Sequence, residues 1–197
     1  SHLSAAMQSA DVAEIAPRCS SPDFIPALLD ICRRHEIKLV IPGIDTELPM
    51  LAAAREQFAA AGVTALISSP ETIAIGADKW RTHRWLVEHV FPTVRQATVA
   101  EALGDPHAWP FPMIVKPTAG SASVGVATVH NRDELQFHTR SGDFIVQTIA
   151  TGAEYTVDVL VNRGGKCVCA IPRKRLEVRS GEVFKGVTAR RPELIDL

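Results

Sequence analysis

Residues 115–129, Val-Lys-Pro-Thr-Ala-Gly-Ser-Ala-Ser-Val-Gly-Val-Ala-Thr-Val, set a lysine ahead of a run of small residues with two glycines, and a β-branched segment follows. Lys116 closes a strand-like run, and Pro117 pushes it away from helical backbone. The stretch therefore reads as a glycine-rich hairpin. Such a hairpin can fold over a polyphosphate. Backbone N–H groups and the hydroxyls of Ser121 and Ser123 would donate to phosphate oxygens around Gly125, with Lys116 as a point charge beneath. A P-loop works differently, because its phosphates rest on the N-terminus of a following helix. Here the residues after Gly125 are apolar and β-branched, so no such helix is expected. The same composition also suits an ordinary mobile turn, and the stretch alone does not choose between the two.

Other residues bear on that choice. Lys79, in the run Ile-Gly-Ala-Asp-Lys-Trp, starts an aromatic helix, either as a second cation for the same cleft or as a solvated helix lysine. Residues 143–161 read as strand, bend, strand, with residues 147–150 as a linker and Glu154 opening the new strand. Alternation puts Tyr155, Val157, Val159 and Val161 on one face and Glu154, Thr156 and Asp158 on the other. Farther on, Arg173 and Arg175 share a face that Lys174 leaves, and Lys185 follows the Arg-Ser-Gly-Glu turn. Unshielded like charges on one face repel, which favours an anionic partner without requiring one. Asp45 and Glu47, after a short strand, read as a substrate edge or, with more weight, as acids at a helix start.

The elements that must position these groups alternate in the first half and become β-rich in the second. Residues 21–37 predict a helix capped by Ser21 with Pro22 in its first turn, and residues 38–42 a buried strand. An alanine-rich helix over 48–61 is stopped by Gly62 before another strand at 63–68. Strand, helix, strand implies a parallel pair with a right-handed crossover. Past a boundary near residue 90 the expected unit is antiparallel α+β, with one short helix around 132–138.

Composition bounds the function. The chain has 197 residues, 46% of them hydrophobic, enough for one domain or two small ones. With 21 basic against 22 acidic residues the formal charge is −1, so no global attraction to nucleic acid or anionic membrane is expected. Four cysteines without a CxxC pair fit a reducing, cytoplasmic compartment with free thiols. Neither a membrane span nor a signal peptide is expected.

Taken in order, residues 78–86, 111–126, 144–161 and 171–182 resemble the ATP-grasp superfamily, in particular its carbamoyl-phosphate-synthase-like carboxylate-amine ligases; the resemblance spans about residues 21 to 190. The resemblance implies an α/β then α+β fold. Residues 1–77 would be a partial Rossmann-like preATP-grasp domain, and residues 78–150 a linker helix and first ATP-grasp lobe with the glycine-rich hairpin. Residues 151–197 would form an incomplete second lobe. It also implies that Lys79 and Lys116 hold ATP phosphates under a loop running from Thr118 to Gly125. Gln147, Thr148 and Ile149 would carry adenine through backbone groups, and Glu154 would bind ribose hydroxyls. Arg173 and Lys185 would lie near the γ-phosphate or an acyl phosphate. The implied cofactors are ATP and Mg²⁺, whose ligands are expected beyond Leu197. The implied partners are ATP and a small carboxylate, without nucleic acid or membrane, and with a homo-oligomer left open. The implied activity is ATP-dependent formation of an acyl phosphate for attack by an amine-type nucleophile, with residues 1–197 alone inactive. The alternative is a non-catalytic nucleotide-binding or interaction module.

Overall fold

A computed structural model describes residues 3–120, 123–162, 164–179 and 181–196. The chain divides into two compact units, Ser1–Trp85 and Leu86–Leu197.

The first unit contains α1 (Ala5–Ser9), α2 (Phe24–Arg34), β1 (Leu39–Val40), α3 (Leu48–Ala53), α4 (Arg55–Ala60), β2 (Thr64–Ala65) and α5 (Pro70–Gly76), and α6 (Lys79–Glu88) begins in it. The expected parallel pair is present, with Leu39 opposite Thr64 and Val40 opposite Ala65. Cys32, Leu51, Ala54, Phe58, Val63 and Ala65 form its core. The start of α2 differs from expectation. Its N-cap is Asp23, while the Ser21 hydroxyl accepts the Asp23 N–H at 3.2 Å, so Ser21 and Pro22 build the approach and not the first turn. The alanine-rich helix is two helices, because Ala54 (φ −94°, ψ 6°) turns the chain between them. Leu51, Ala54 and Phe58 thereby enter one core. Asp45 and Glu47 lie in a 3₁₀ turn, Asp45–Glu47, leading into α3, as acids at a helix start would.

The second unit holds β3 (Gln96–Thr98), α7 (Val99–Gly104), β4 (Met113–Pro117), β5 (Ala127–Val129), α8 (Arg132–His138), β6 (Phe144–Thr148), β7 (Tyr155–Val161), β8 (Cys167–Arg179), β9 (Glu182–Thr188) and α9 (Pro192–Ile195). Two antiparallel sheets result, one ordered β3-β6-β4-β5 and one ordered β7-β8-β9. Ala97, Ala102, Trp109, Met113, Val115, Val129, Leu135 and Val146 make the core against the first sheet. The expected helix at 132–138 is α8, but β3 and α7 were not anticipated. A capping box at Thr98 starts α7: its hydroxyl accepts the Glu101 N–H, and the Glu101 carboxylate accepts the Thr98 N–H.

Candidate nucleotide site

Registry places the key side chains of the four-stranded sheet. Gln147 stands opposite Ile114 on β4 and opposite Gln96 on β3, while Lys116 stands opposite Ile145. Because side chains alternate, Gln96, Ile114, Lys116, Ile145 and Gln147 share one face. Ala97, Met113, Val115 and Val146 take the other face and pack into the core. The sequence thus brings Lys116 and Gln147 onto a common surface although 31 positions in the chain separate them, simply because β4 and β6 pair in this register.

The loop leaves this face from the Lys116 end. The Thr118 N–H donates to the Asp143 carbonyl at 2.9 Å, fixing its departure. Gly120 has φ +106° and Gly125 φ +73°, values that favour glycine. Gly125 is constrained twice over, since a Cβ there would lie 2.8 Å from Pro117 Cγ. Ser123 adopts φ +57°, an uncommon conformation for a side-chain-bearing residue. Ser121 lies outside the described residues.

At the other end, the Thr148 N–H donates to the Arg95 carbonyl at 3.1 Å. That amide is committed, so a base docking at residues 147–149 would use other backbone groups. Arg95 is itself anchored: its Nη1 donates to the Ala108 carbonyl at 2.9 Å, and its guanidinium lies 4.7 Å from the Trp109 ring centre. The Gln147 amide donates through Nε2 to Gln96 Oε1 at 2.6 Å. Ile149 follows, exposed.

Lys79 opens α6 in the first unit, where Asp78 Oδ1 accepts the N–H groups of Trp80 and Arg81. Burial draws the Lys79 ammonium below its ordinary lysine pKa, and the neighbouring Asp78 charge opposes that shift.

The three-stranded sheet holds the remaining candidates. Glu154, Thr156 and Asp158 share a face with Arg173 and Arg175, because Thr156 lies opposite Arg173. Arg175 Nη1 donates to Glu154 Oε1 at 2.7 Å and its Nη2 to the Gly181 carbonyl at 2.7 Å. Arg173 Nε pairs with Asp158 Oδ2 at 3.2 Å. The expected repulsion between Arg173 and Arg175 is therefore absent, since a carboxylate from β7 or its approach neutralises each. Lys185 pairs with Glu177 at 2.8 Å. It lies three residues along β9 from Thr188, the partner of Arg173. The two cations proposed for transfer chemistry thus stand about 10 Å apart along the strand direction and are not adjacent.

Sequence reasoning did not single out Gln96. Glutamine within three residues of a helix start gives little local signal, and its pairing with Gln147 appears only once β3 and β6 are aligned. A magnesium ion does not fit the acids present. Glu154, Asp158 and Glu177 are each engaged by arginine or lysine, and among the described residues no three His, Cys, Asp or Glu side chains cluster. No helix among them is long and apolar enough to cross a membrane.

Comparison with known proteins gives this geometry a family. The model described as PylC-like, N-terminal domain, matches residues 1–66, and the one described as ATP-grasp domain matches residues 76–197. The chain is 33% identical over 141 residues to formate-dependent phosphoribosylglycinamide formyltransferase of Synechococcus sp. (strain CC9605), covering 66% of this chain and 32% of that protein. It is 28% identical over 179 residues to D-alanine--D-alanine ligase of Lacticaseibacillus casei (strain BL23), covering 87% and 48%. The chain thus spans between about a third and a half of the length of these relatives. In fold it is similar to the biotin carboxylase domain of Hydrogenobacter thermophilus 2-oxoglutarate carboxylase, solved with MgADP, ADP and bicarbonate. That likeness has a TM-score of 0.68 at 18% identity, and covers 90% of this chain and 43% of that one. An α/β unit followed by antiparallel sheets is consistent with these matches. The chain belongs to the ATP-grasp family.

Proposed function

We propose that this chain is the nucleotide-binding part of an ATP-dependent ligase that activates a small carboxylate as an acyl phosphate for attack by an amine-type nucleophile. One observation carries the reading: Lys116 and Gln147 share a sheet face, with the glycine loop leaving from the Lys116 end. Gln147 lies two residues along the strand from the partner of Lys116, about 7 Å, and one strand spacing across, about 4.8 Å. That span suits a purine at the Gln147 end with its phosphates reaching Lys116. Residues 1–77, 78–150 and 151–197 would be the preATP-grasp domain, the first lobe and part of the second lobe.

The chemistry follows from charge. A carboxylate is a poor electrophile, so one of its oxygens attacks Pγ. The bond from Pγ to the β–γ bridging oxygen breaks, and its electron pair leaves on ADP. The amine then adds to the acyl carbon, loses its proton, and inorganic phosphate departs. The protein's part is positioning and charge neutralisation. Lys116 and Lys79 would meet ATP phosphates, with loop amides and the Ser121 and Ser123 hydroxyls donating around Gly125. Residues 147–149 would seat the adenine and Glu154 the ribose. Arg173 and Lys185 would act near the transferred phosphoryl group, which requires each to leave its carboxylate. Magnesium bound to ATP would neutralise phosphate charge, with ligands other than the carboxylates described here. Free cysteines fit a cytoplasmic setting.

Calorimetry with ATP tests the reading. Charge-assisted contacts to phosphate contribute about 1.5–3 kcal/mol each, so Lys116→Ala should weaken ATP binding roughly 10- to 150-fold. Equal affinity in variant and parent, or no ATP binding by the parent, overturns it.

A further inference from the structure

We propose that Glu177, with Arg179 on its second oxygen, is a positioning residue that holds Lys185 in reserve and releases it to an arriving terminal phosphate. The inference rests on the nucleotide reading above, in which Lys185 acts near the transferred phosphoryl group, and names what governs its movement.

The backbone sets this pair apart. Glu177 stands opposite Lys185, and the ladder slips on both sides of them. Arg175 faces Gly186, so Leu176 is extra on β8; Val178 faces Val183, so Phe184 is extra on β9. A bulge leaves one residue unpaired and re-aims the side chains beside it. Two bulges, one on each strand, thus take the Glu177–Lys185 pair out of the regular alternation around it.

The carboxylate carries two cations at once. Its Oε2 lies 2.8 Å from Lys185 Nζ, and its Oε1 accepts from Arg179 Nη2 at 2.9 Å and from Arg179 Nε at 3.1 Å. Arg179 is held a second time, with its guanidinium 3.5 Å from the centre of the Phe184 ring. Lys185 has only a distant contact with that ring, 5.9 Å from its centre. Glu177 is also the more shielded of the two carboxylates that hold transfer cations, 35% exposed against 57% for Asp158. Water therefore compensates it less when a partner departs. With Arg179 in place, Lys185 leaves a neutralised carboxylate behind. Without Arg179, Lys185 would be the sole cation on Glu177 among the described residues and would stay there.

The experiment measures the affinities of the whole chain and its variants for ATP and for ADP, with magnesium present. The two nucleotides differ by the terminal phosphate, so the ratio of affinities reads what meets it. The parent should prefer ATP, and Lys185→Met should cut that preference about tenfold or more. Arg179→Met, which keeps an apolar chain over Phe184, should cut it in the same direction by trapping Lys185 on Glu177. Adding Glu177→Gln to Arg179→Met removes the trap and should return the ratio toward the parent's, a rescue that loss of packing would not produce. If Arg179→Met keeps the parent's ratio, or the double variant stays as low as Arg179→Met, the release mechanism is wrong while the role of Lys185 stands. If the parent binds both nucleotides equally, or Lys185→Met keeps the parent's ratio, the inference fails while the nucleotide site stands. If the parent binds neither, the nucleotide reading falls and this inference with it.

Discussion

The two antiparallel sheets of the second unit are stabilised by different forces. In β3-β6-β4-β5 one face is sealed, with Val115, Val129, Leu135 and Val146 fully buried. Among the described residues of β7-β8-β9 only Pro172 reaches that state, and Val159 remains 57% exposed. The second sheet relies on its ladder hydrogen bonds and on cross-strand pairs such as Arg173–Asp158 and Arg175–Glu154. Burial of apolar area contributes far more than exposed ion pairs, so the first sheet can serve as a rigid platform for a ligand while the second is held loosely enough to adapt. That division suits a site whose base end needs precision and whose transfer end needs side chains to change partners.

If the contrast is real, Leu135→Ala should be the most damaging change, costing about 2–5 kcal/mol in denaturant unfolding because it empties a closed core. Val159→Ala in the same assay should stay within about 0.5 kcal/mol, and comparable losses at both positions would erase the distinction. Within the second sheet, Arg175→Ala should cost about 1–3 kcal/mol, because Arg175 is 16% exposed and its two bonds tie Glu154 to the turn at Gly181. Arg173→Ala breaks a more open pair and should cost no more than about 1 kcal/mol. At the edge of the first sheet, Thr98→Ala removes the capping box and should lower stability by about 1 kcal/mol. The smallest effect concerns pH. Hydrogen bonds from the Thr98 N–H and hydroxyl hold the Glu101 carboxyl below its ordinary value. Its contribution is thus present above the unfolded-state pKa and disappears as pH falls through the folded one. Acid titration of Glu101→Gln should show a shallower loss of stability than the parent, and identical profiles would remove the cap from the account.

How far the sequence foretold these differences depended on the range of the contacts involved. The strands at 113–117 and 127–129 and the helix at 132–138 were readable because their patterning is local; the structure adds that Asn131 Oδ1 accepts the Glu134 N–H at the helix start. The turn at Ala54 was not readable, since nothing in a run of alanines marks where a core will bend the chain. Thr98 and Glu101 did carry a legible capping box, and attention to it would have revealed α7. Lys116 could be placed at a strand end from Pro117 alone. Its company with Gln147 could not be, and neither could Gln96, because each depends on pairing between distant strands. The supposed repulsion of Arg173 and Arg175 failed for the same reason: alternation put them together but could not show Asp158 and Glu154 across the ladder.

The contact between Pro117 and the α-carbon side of Gly125 has a consequence for how this loop can vary over time. The space at Gly120 is open, with no atom within 4 Å of an added Cβ, whereas at Gly125 the proline ring fills it. The residues at 117 and 125 therefore constrain each other sterically. A lineage could replace Gly125 only after Pro117 had given way to a smaller residue, and even then would keep the strain of φ +73°. At Gly120 the limit is conformational alone, since φ +106° favours glycine although the space is free, so the neck of the loop carries a steric barrier that Gly120 does not.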